Sequence, residues 1–254
     1  MQISRRTKFS LAQLLTVLER PTVRVIFDKF GFDPQAVLSP EDISEEITDA
    51  DEQNLSDLII EVIETNKTLR AGVSPKYKFD DQFSILKKSL LLDGYLIEGK
   101  SIEALDPSFV GFDPVEDALI KELDDSVLQN KAGVIQSIKA SADDFIKAQP
   151  DYNGSLTNIR IALETLVREI ALEKGFTATR PDKMWGSSLG HLKTSGFIDQ
   201  KDENALSSVF TFISNGSHIP LGFSQAEYVR LGRNMCTSMC YFVRKRKENH
   251  TSLM

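Results

Sequence analysis

An apolar stripe at helical spacing follows Ser155 in this chain of 254 residues. Six large aliphatic side chains recur every three or four positions, which predicts a helix that buries one face against other helices. They are Leu156, Ile159, Leu163, Leu166, Val167 and Ile170. Similar stripes occur between positions 11 and 18 and between 55 and 63, and strand-like residues on both sides of Gly99 indicate one short hairpin. The expected fold is therefore mainly α.

The chain is expected to form two parts, an N-terminal helical module with the small β-hairpin (1–124) and a helical bundle (125–254). Helices followed by a hairpin suggest that the first part is winged-helix-like. The first part carries 14 basic and 24 acidic residues, net −10, whereas the second carries 16 basic and 13 acidic residues, net +3. Because an acidic surface repels nucleic acid, the second part is the better candidate for a polyanionic partner; its basic C-terminal residues, 244–247, are either such a surface or a solvated helix end that complements the helix dipole.

The cysteines and histidines do not follow the spacing of metal ligands. Cys236 and Cys240 are four residues apart on one predicted helix, where disulfide geometry is poor and zinc would lack further ligands. We expect them to be buried small hydrophobes in a reducing compartment. The three histidines, at positions 191, 218 and 250, do not complete such a site. Neither a metal nor another cofactor is expected.

The sequence favours a cytoplasmic location. No apolar run approaches the roughly 20 residues that span a bilayer, so neither a transmembrane helix nor a membrane partner is expected. Arg5 and Arg6 are similar to a twin-arginine export signal, but Gln13 and Glu19 interrupt the apolar segment that follows, and no small-residue cleavage site appears.

A break between two helical patterns places a histidine in a connection. The pattern of residues 206–213 stops at Asn215, and Ser224 and Glu227 form a capping box that predicts the start of the next helix. His218 lies between them, where an imidazole could meet solvent and substrate. Its ring is either a catalytic base or acid, or a cap on a helix end. Asn215 is either part of the same site or a left-handed helix cap.

Two further features allow a structural and a functional interpretation. Arg160, Glu164 and Arg168 stand four residues apart on one predicted helix, either as an ion-paired surface or as the wall of a groove that holds phosphate opposite His218. Trp185, the only tryptophan, is either a packing anchor or a surface on which a base stacks.

Three segments of the second part resemble the HEPN superfamily, small helical bundles of prokaryotic defence and toxin systems, many of which cut RNA without metal. The segments are residues 158–164, residues 189–198, and residues 214–218 followed by a long final helix. The first part is similar to the N-terminal modules of abortive-infection proteins, which also end in a helix and a Gly-Tyr hairpin like residues 93–105. The resemblance covers residues 126–247, and the first part more loosely. It implies a HEPN-like bundle that acts as a homodimer, with its site at a two-fold interface.

The resemblance implies that His218 and Asn215 are the catalytic residues. Active members carry an arginine shortly before the histidine, where this sequence has Thr211, Phe212 and Ile213. RNA cleavage of this kind needs a base, an acid and a cation that stabilises the phosphate in the transition state. The arginines that could supply that cation are Arg160, Arg168, Arg230 and Arg233.

The function that the resemblance implies is an anti-phage defence or toxin-type effector, a metal-independent endoribonuclease that acts on RNA through His218. The alternative is a non-catalytic HEPN-like binding or oligomerisation module that senses a nucleic acid, nucleotide or protein partner in a defence complex. A third hypothesis is that the acidic first part neutralises or regulates the basic second part.

Overall fold

A computed structural model of the chain describes residues 3–35, 39–104, 114–177, 184–214 and 222–251. Over these ranges the chain forms twelve helices and one antiparallel hairpin, which confirms the prediction of a mainly α fold with a small hairpin. The chain divides into two compact units, Met1–Pro114 and Val115–Met254. None of the helices described is long and apolar enough to cross a lipid bilayer.

The described part of the first unit contains six helices and the hairpin. Their bounds are α1 Arg5–Thr16, α2 Arg20–Lys29, α3 Pro40–Asp49, α4 Glu52–Glu64, α5 Asn66–Gly72, α6 Lys76–Leu92, β1 Tyr95–Glu98 and β2 Ser101–Ala104. The start of α3 is fixed by a capping box, in which the Asp42 amide donates to Ser39 Oγ and the Ser39 amide donates to Asp42. Sequence-encoded caps of this kind satisfy amides that a helix start leaves unpaired.

The core of the first unit lies where α1 packs against α3 and α6. Its fully buried side chains include Leu11, Leu14 and Phe27. The hairpin adds Ile97 and Ile102, a cross-strand pair, to the edge of this core. The first unit therefore has an apolar interior of its own.

Six helices form the described part of the second unit. They are α7 Val115–Asp124, α8 Lys131–Ile146, α9 Tyr152–Glu173, α10 Met184–Thr194, α11 Gln200–Ser214 and α12 Gln225–Thr251.

Helix α9 is the central element of the second unit and contacts α8, α10, α11 and α12. All six members of its predicted apolar stripe are buried. Ser141 and Ser155 donate to each other's carbonyl oxygens at 2.7 Å, so α8 and α9 approach closely. The Cys236 thiol donates to the Ile159 carbonyl at 3.3 Å, and both cysteines are buried, as expected.

The boundary between the units falls before α7, not after it as the sequence predicted. Leu119 and Leu123 are fully buried, and α7 packs along α12. The first unit consequently carries 13 basic and 20 acidic residues, and the second carries 17 of each. The second unit is therefore neutral overall rather than basic, and any anion must be attracted by locally unpaired cations.

Candidate functional site

The predicted catalytic residues Asn215 and His218 lie outside the described residues. The described chain ends at Ser214, the last residue of α11, and resumes at Gly222, just before α12. The geometry of the site is therefore given by the side chains that flank this connection.

The two helix ends that flank residues 215–221 are held together. Tyr228 in the first turn of α12 donates its phenol hydrogen to the Phe212 carbonyl at 3.1 Å, and the two rings lie 4.8 Å apart. Helix α12 begins with the predicted capping box, because the Glu227 amide donates to Ser224 Oγ and the Ser224 amide donates to Glu227. Hydrogen bonding of the Glu227 carboxylate by the Ser224 side chain, and to a smaller extent by the Ser224 amide, lowers the pKa of Glu227 and favours its ionised form at the positive end of the helix.

A cation and two aromatic rings meet beside the end of α11. The Arg160 guanidinium carbon of α9 lies 5.8 Å from the centroid of the Phe210 ring. Trp185 of α10 stacks on Phe210, with ring centroids 4.2 Å apart and an angle of 13° between the planes. All three residues are partly exposed. We call Arg160, Trp185 and Phe210 the Arg160 cluster.

Arg160 has no carboxylate partner in the described part of the chain. Its Nε is shielded from solvent and makes no hydrogen bond there. Arg160, Glu164 and Arg168 form no ion pair with one another, so the ion-paired surface is not what this face of α9 presents. An arginine without a carboxylate partner keeps its hydrogen-bond donors available to a phosphate.

Arg168 is partly exposed two helical turns beyond Arg160, which corresponds to about 12 Å along the axis of α9. It has no ion-pair partner in the described ranges either. Its place is therefore further along the same side of the helix and outside the Arg160 cluster.

Arg230 lies on another side of α12. Tyr228 faces α11, and residues two apart on a helix project in nearly opposite directions, so Arg230 points away from α11. Burial lowers the pKa of Arg230, with a smaller opposing effect of Glu227, and its Nε makes no hydrogen bond within the described ranges. The structure therefore does not bring Arg230 to the Arg160 cluster.

Arg233 is an internal ion-pair residue. Its side chain is 2% exposed, its Nη2 lies 3.0 Å from a carboxylate oxygen of Glu116 in α7, and its Nε donates to Ser141 Oγ of α8 at 2.7 Å. A guanidinium enclosed in this way cannot reach a phosphate in solvent. Arg233 joins α12 to α7 and α8, and we do not retain it as a phosphate-binding residue.

The other residues with catalytic or metal-binding side chains have structural roles in the described part of the chain. His191 Nε2 lies 3.0 Å from the Lys174 carbonyl oxygen and ties α10 to the end of α9. Among the described residues, no three His, Cys, Asp or Glu side chains are grouped closely enough to hold a metal ion.

Phe210 is the residue of the cluster that the sequence did not single out. Its spacing predicted only a member of an apolar stripe, and in a helix such positions usually face the core. The aromatic flanks of this stripe, Phe210 and Phe212, were the available signal, since aromatic side chains at the edge of a stripe can remain partly exposed.

No family model, curated protein or solved structure matches this chain. The HEPN resemblance therefore stays a resemblance of short segments.

Proposed function

We propose that this protein is an anti-phage defence or toxin-type effector whose second unit is a HEPN-like bundle that cleaves RNA without a metal ion through His218. The observation that supports this function is the position of Arg160. Its guanidinium has no carboxylate partner among the described residues and lies against the last turn of α11, directly before the segment with Asn215 and His218. It takes the place of the arginine that active members carry shortly before the histidine.

The chemistry needs only side chains and the RNA. The His218 imidazole accepts the proton of a ribose 2′-hydroxyl, whose oxygen attacks the adjacent phosphorus. The bond from phosphorus to the 5′-oxygen breaks, a protonated imidazole of a second copy supplies the proton to that oxygen, and a 2′,3′-cyclic phosphate remains. Arg160 donates hydrogen bonds to the phosphate oxygens, on which negative charge increases in the transition state.

The length of the chain permits this arrangement. At most about 14 Å of extended backbone separates Ser214 from His218, and Phe210, which contacts Arg160, lies one helical turn before Ser214. The contact between Phe212 and Tyr228 holds the end of α11 beside the start of α12, so the connection begins and ends at neighbouring helix ends.

Cleavage of a mixed RNA pool in the presence of EDTA tests the proposal. We expect the wild-type protein to cut and His218→Ala to lose the activity. Arg160→Gln should cut roughly 100-fold more slowly, because removing one donor that stabilises the transition-state charge has an effect of this size. Lys139→Gln is the matched control, since Lys139 is exposed on α8 and lies in the same unit. It should cut at the wild-type rate, and cutting by His218→Ala at the wild-type rate would contradict the proposal.

The other two arginines test the assignment of the cation. Arg168→Gln should raise KM and leave kcat unchanged, because a phosphate contact away from the reacting bond contributes equally to ground and transition states. Arg230→Gln should have no effect on either constant, since Arg230 points away from α11. If Arg230→Gln removed activity and Arg160→Gln did not, Arg160 would not be the cation.

The second candidate function is a non-catalytic binding or oligomerisation module that senses a nucleic acid, nucleotide or protein partner in a defence complex. It is favoured by Phe212 and Ile213, which pack against Tyr228 and into the core and supply no cation before His218. This function predicts RNA binding without cutting in the same assay. A mass near twice 28.4 kDa would support the homodimer on which the two-histidine mechanism depends.

A further inference from the structure

The rings of the Arg160 cluster are placed unlike those of a core packing anchor. Trp185 and Phe210 are each partly exposed although they stack closely on each other. The indole N–H of Trp185 makes no hydrogen bond with the described part of the chain and is not among its shielded polar atoms. A tryptophan that anchors a core normally buries its ring and pairs its N–H.

The arginine beside these rings differs from Trp185, because its unpaired nitrogen is shielded from solvent. Arg160 Nε is shielded from solvent yet has no hydrogen-bond partner in the described part of the chain. Ser188, one turn after Trp185 on α10, also has a shielded hydroxyl without a partner there. Unsatisfied polar groups are uncommon in native proteins and often mark a place where a ligand or water completes the hydrogen bonds.

We infer that the face of the Trp185 ring that Phe210 does not cover is a stacking surface for an unpaired nucleobase of a single-stranded RNA, and that Arg160, which lies against the Phe210 ring, holds a nearby phosphate. This inference rests on the proposed function in that the ligand is RNA. Aromatic side chains stack on bases of any sequence, and guanidinium groups bind the adjoining backbone. Both groups contact the same ring, since the Arg160 guanidinium carbon lies 5.8 Å and the Trp185 ring centroid 4.2 Å from the centroid of Phe210.

Single strands are favoured over duplexes for a geometric reason. The faces of a base in a duplex are covered by its neighbours, so only an unpaired and unstacked base can lie against an indole ring. The neutral charge of the second unit points the same way, because broad phosphate attraction along a duplex needs a net positive surface. Binding should therefore depend on stacking and only weakly on salt.

The single tryptophan makes the inference directly measurable. All indole fluorescence of the protein comes from Trp185, and a stacked base should quench it. The probe is an oligoadenylate with 2′-O-methyl riboses, which lacks the 2′-hydroxyl and therefore binds without being cut. We expect this oligonucleotide to quench Trp185 and the same oligonucleotide annealed to its complement not to do so. Ribose 5-phosphate, which has the phosphate but no base, should leave the fluorescence unchanged.

Variants separate the ring from the cation. By anisotropy of the labelled oligonucleotide, Trp185→Leu should bind about ten-fold more weakly, within the range found for loss of one stacked base, and Trp185→Phe should bind nearly as the wild type. Arg160→Gln should lower the salt dependence by about the contribution of one phosphate. Tyr77→Leu is the matched control, because Tyr77 is an aromatic residue of the first unit, 61% exposed, and should bind as the wild type.

The outcomes distinguish this inference from the proposed function. Oligonucleotide binding that leaves Trp185 fluorescence unchanged would overturn the stacking surface, even if RNA cleavage in EDTA depended on His218. Quenching by the oligonucleotide, combined with no cleavage of the mixed RNA pool in EDTA, would support the stacking surface and count against the ribonuclease. Equal affinity for AMP and for the oligonucleotide would overturn the strand as the ligand and assign the surface to a free nucleotide.

Discussion

Asp93 gives the first unit a dependence on pH that is opposite in sign to that of an ordinary paired carboxylate. It follows α6, and its Oδ2 accepts hydrogen bonds from Thr7 Oγ1 at 2.6 Å, the Ser4 amide at 2.8 Å and Ser4 Oγ at 3.0 Å. Burial nevertheless outweighs these three donors and raises the pKa of Asp93 from its ordinary value of 3.8 to about 6. A proton therefore binds more tightly to Asp93 in the folded chain than in the unfolded one.

The size of the effect follows from that difference in pKa. About two pKa units correspond to roughly 3 kcal/mol, which is an upper limit because the residue is partly exposed and solvent screens its charge. The contribution to stability is complete below a pH of about 4 and is lost as the pH rises through about 6.

Asp93→Asn tests this reasoning because the amide keeps an oxygen for the three donors and never becomes charged. We expect its free energy of unfolding to equal that of the wild type near pH 4 and to exceed it by about 1 to 3 kcal/mol near pH 7. Urea unfolding followed by circular dichroism at several pH values measures the difference. Hydrogen exchange of amides in α1 and α6 assigns it to the first unit, whereas Trp185 fluorescence reports only the second.

Asp80→Asn is the control with the opposite sign. Asp80 is exposed, and its hydrogen bonds from Arg70 lower its pKa, so the substitution should reduce stability only where the carboxylate is charged. If Asp93→Asn were less stable than the wild type at every pH, the three hydrogen bonds would outweigh desolvation. A constant difference between pH 4 and 7 would likewise refute the raised pKa, since both values bracket the expected window of about 4 to 6.

Four further predictions concern the second unit. Arg233→Met should lower the free energy of unfolding by about 3 to 5 kcal/mol, because it removes the guanidinium that lies 3.0 Å from the largely buried carboxylate of Glu116. Urea unfolding followed by Trp185 fluorescence measures the loss. Gly232→Ala should also destabilise the unit, by about 1 to 2 kcal/mol, because the added methyl group would lie 2.9 Å from a buried leucine methyl. At Gly190 an added methyl group would have no heavy atom within 4 Å. Gly190→Ala should therefore stabilise α10 by up to about 1 kcal/mol in the same measurement, because alanine has the higher helix propensity. The thiol of Cys236 is buried, which raises its pKa, so Ellman's reagent should label the folded protein slowly and label the protein in urea at once.

Helices were predictable wherever one face is apolar and the ends carry caps. The stripe that starts at Leu156 is buried throughout, and Ser224 with Glu227 begins α12 as the sequence indicated. The hairpin around Gly99 was also predictable, because its turn needs a positive φ, here 62°, which glycine adopts readily. Apolar spacing, helix caps and tight turns each depend on residues close together in the sequence, so one sequence is enough to predict them.

The position of α7 could not be predicted in the same way. Its buried side chains, Leu119 and Leu123, would fit a bundle before or after the boundary, and contacts distant in sequence, such as the pairing of Glu116 with Arg233, show which unit it joins. That pairing spans most of the second unit in sequence. Spacing rules operate within one element and carry no information on such partners.

The candidate site was predictable in its residue types and not in its grouping. Arg160 and Trp185 were singled out, but the helix that brings them together contributes Phe210, which looked like an ordinary apolar position. Arg233 looked as suitable for phosphate as Arg160, and the structure separates the two because Arg233 is buried and paired with Glu116. Function at Asn215 and His218 stays a prediction.

A fragment of the second unit should include α7, because α7 supplies the carboxylates that pair with arginines of α12. A fragment that starts at Asp125 would remove Glu116 and Glu122, the carboxylates that face Arg233 and Arg244. The truncated bundle would lack both of these carboxylates and carry a net charge of +3. A positive net charge favours non-specific attraction to RNA and other polyanions, so RNA binding by this fragment would not report on the intact chain. A fragment that starts at Val115 avoids the false positive.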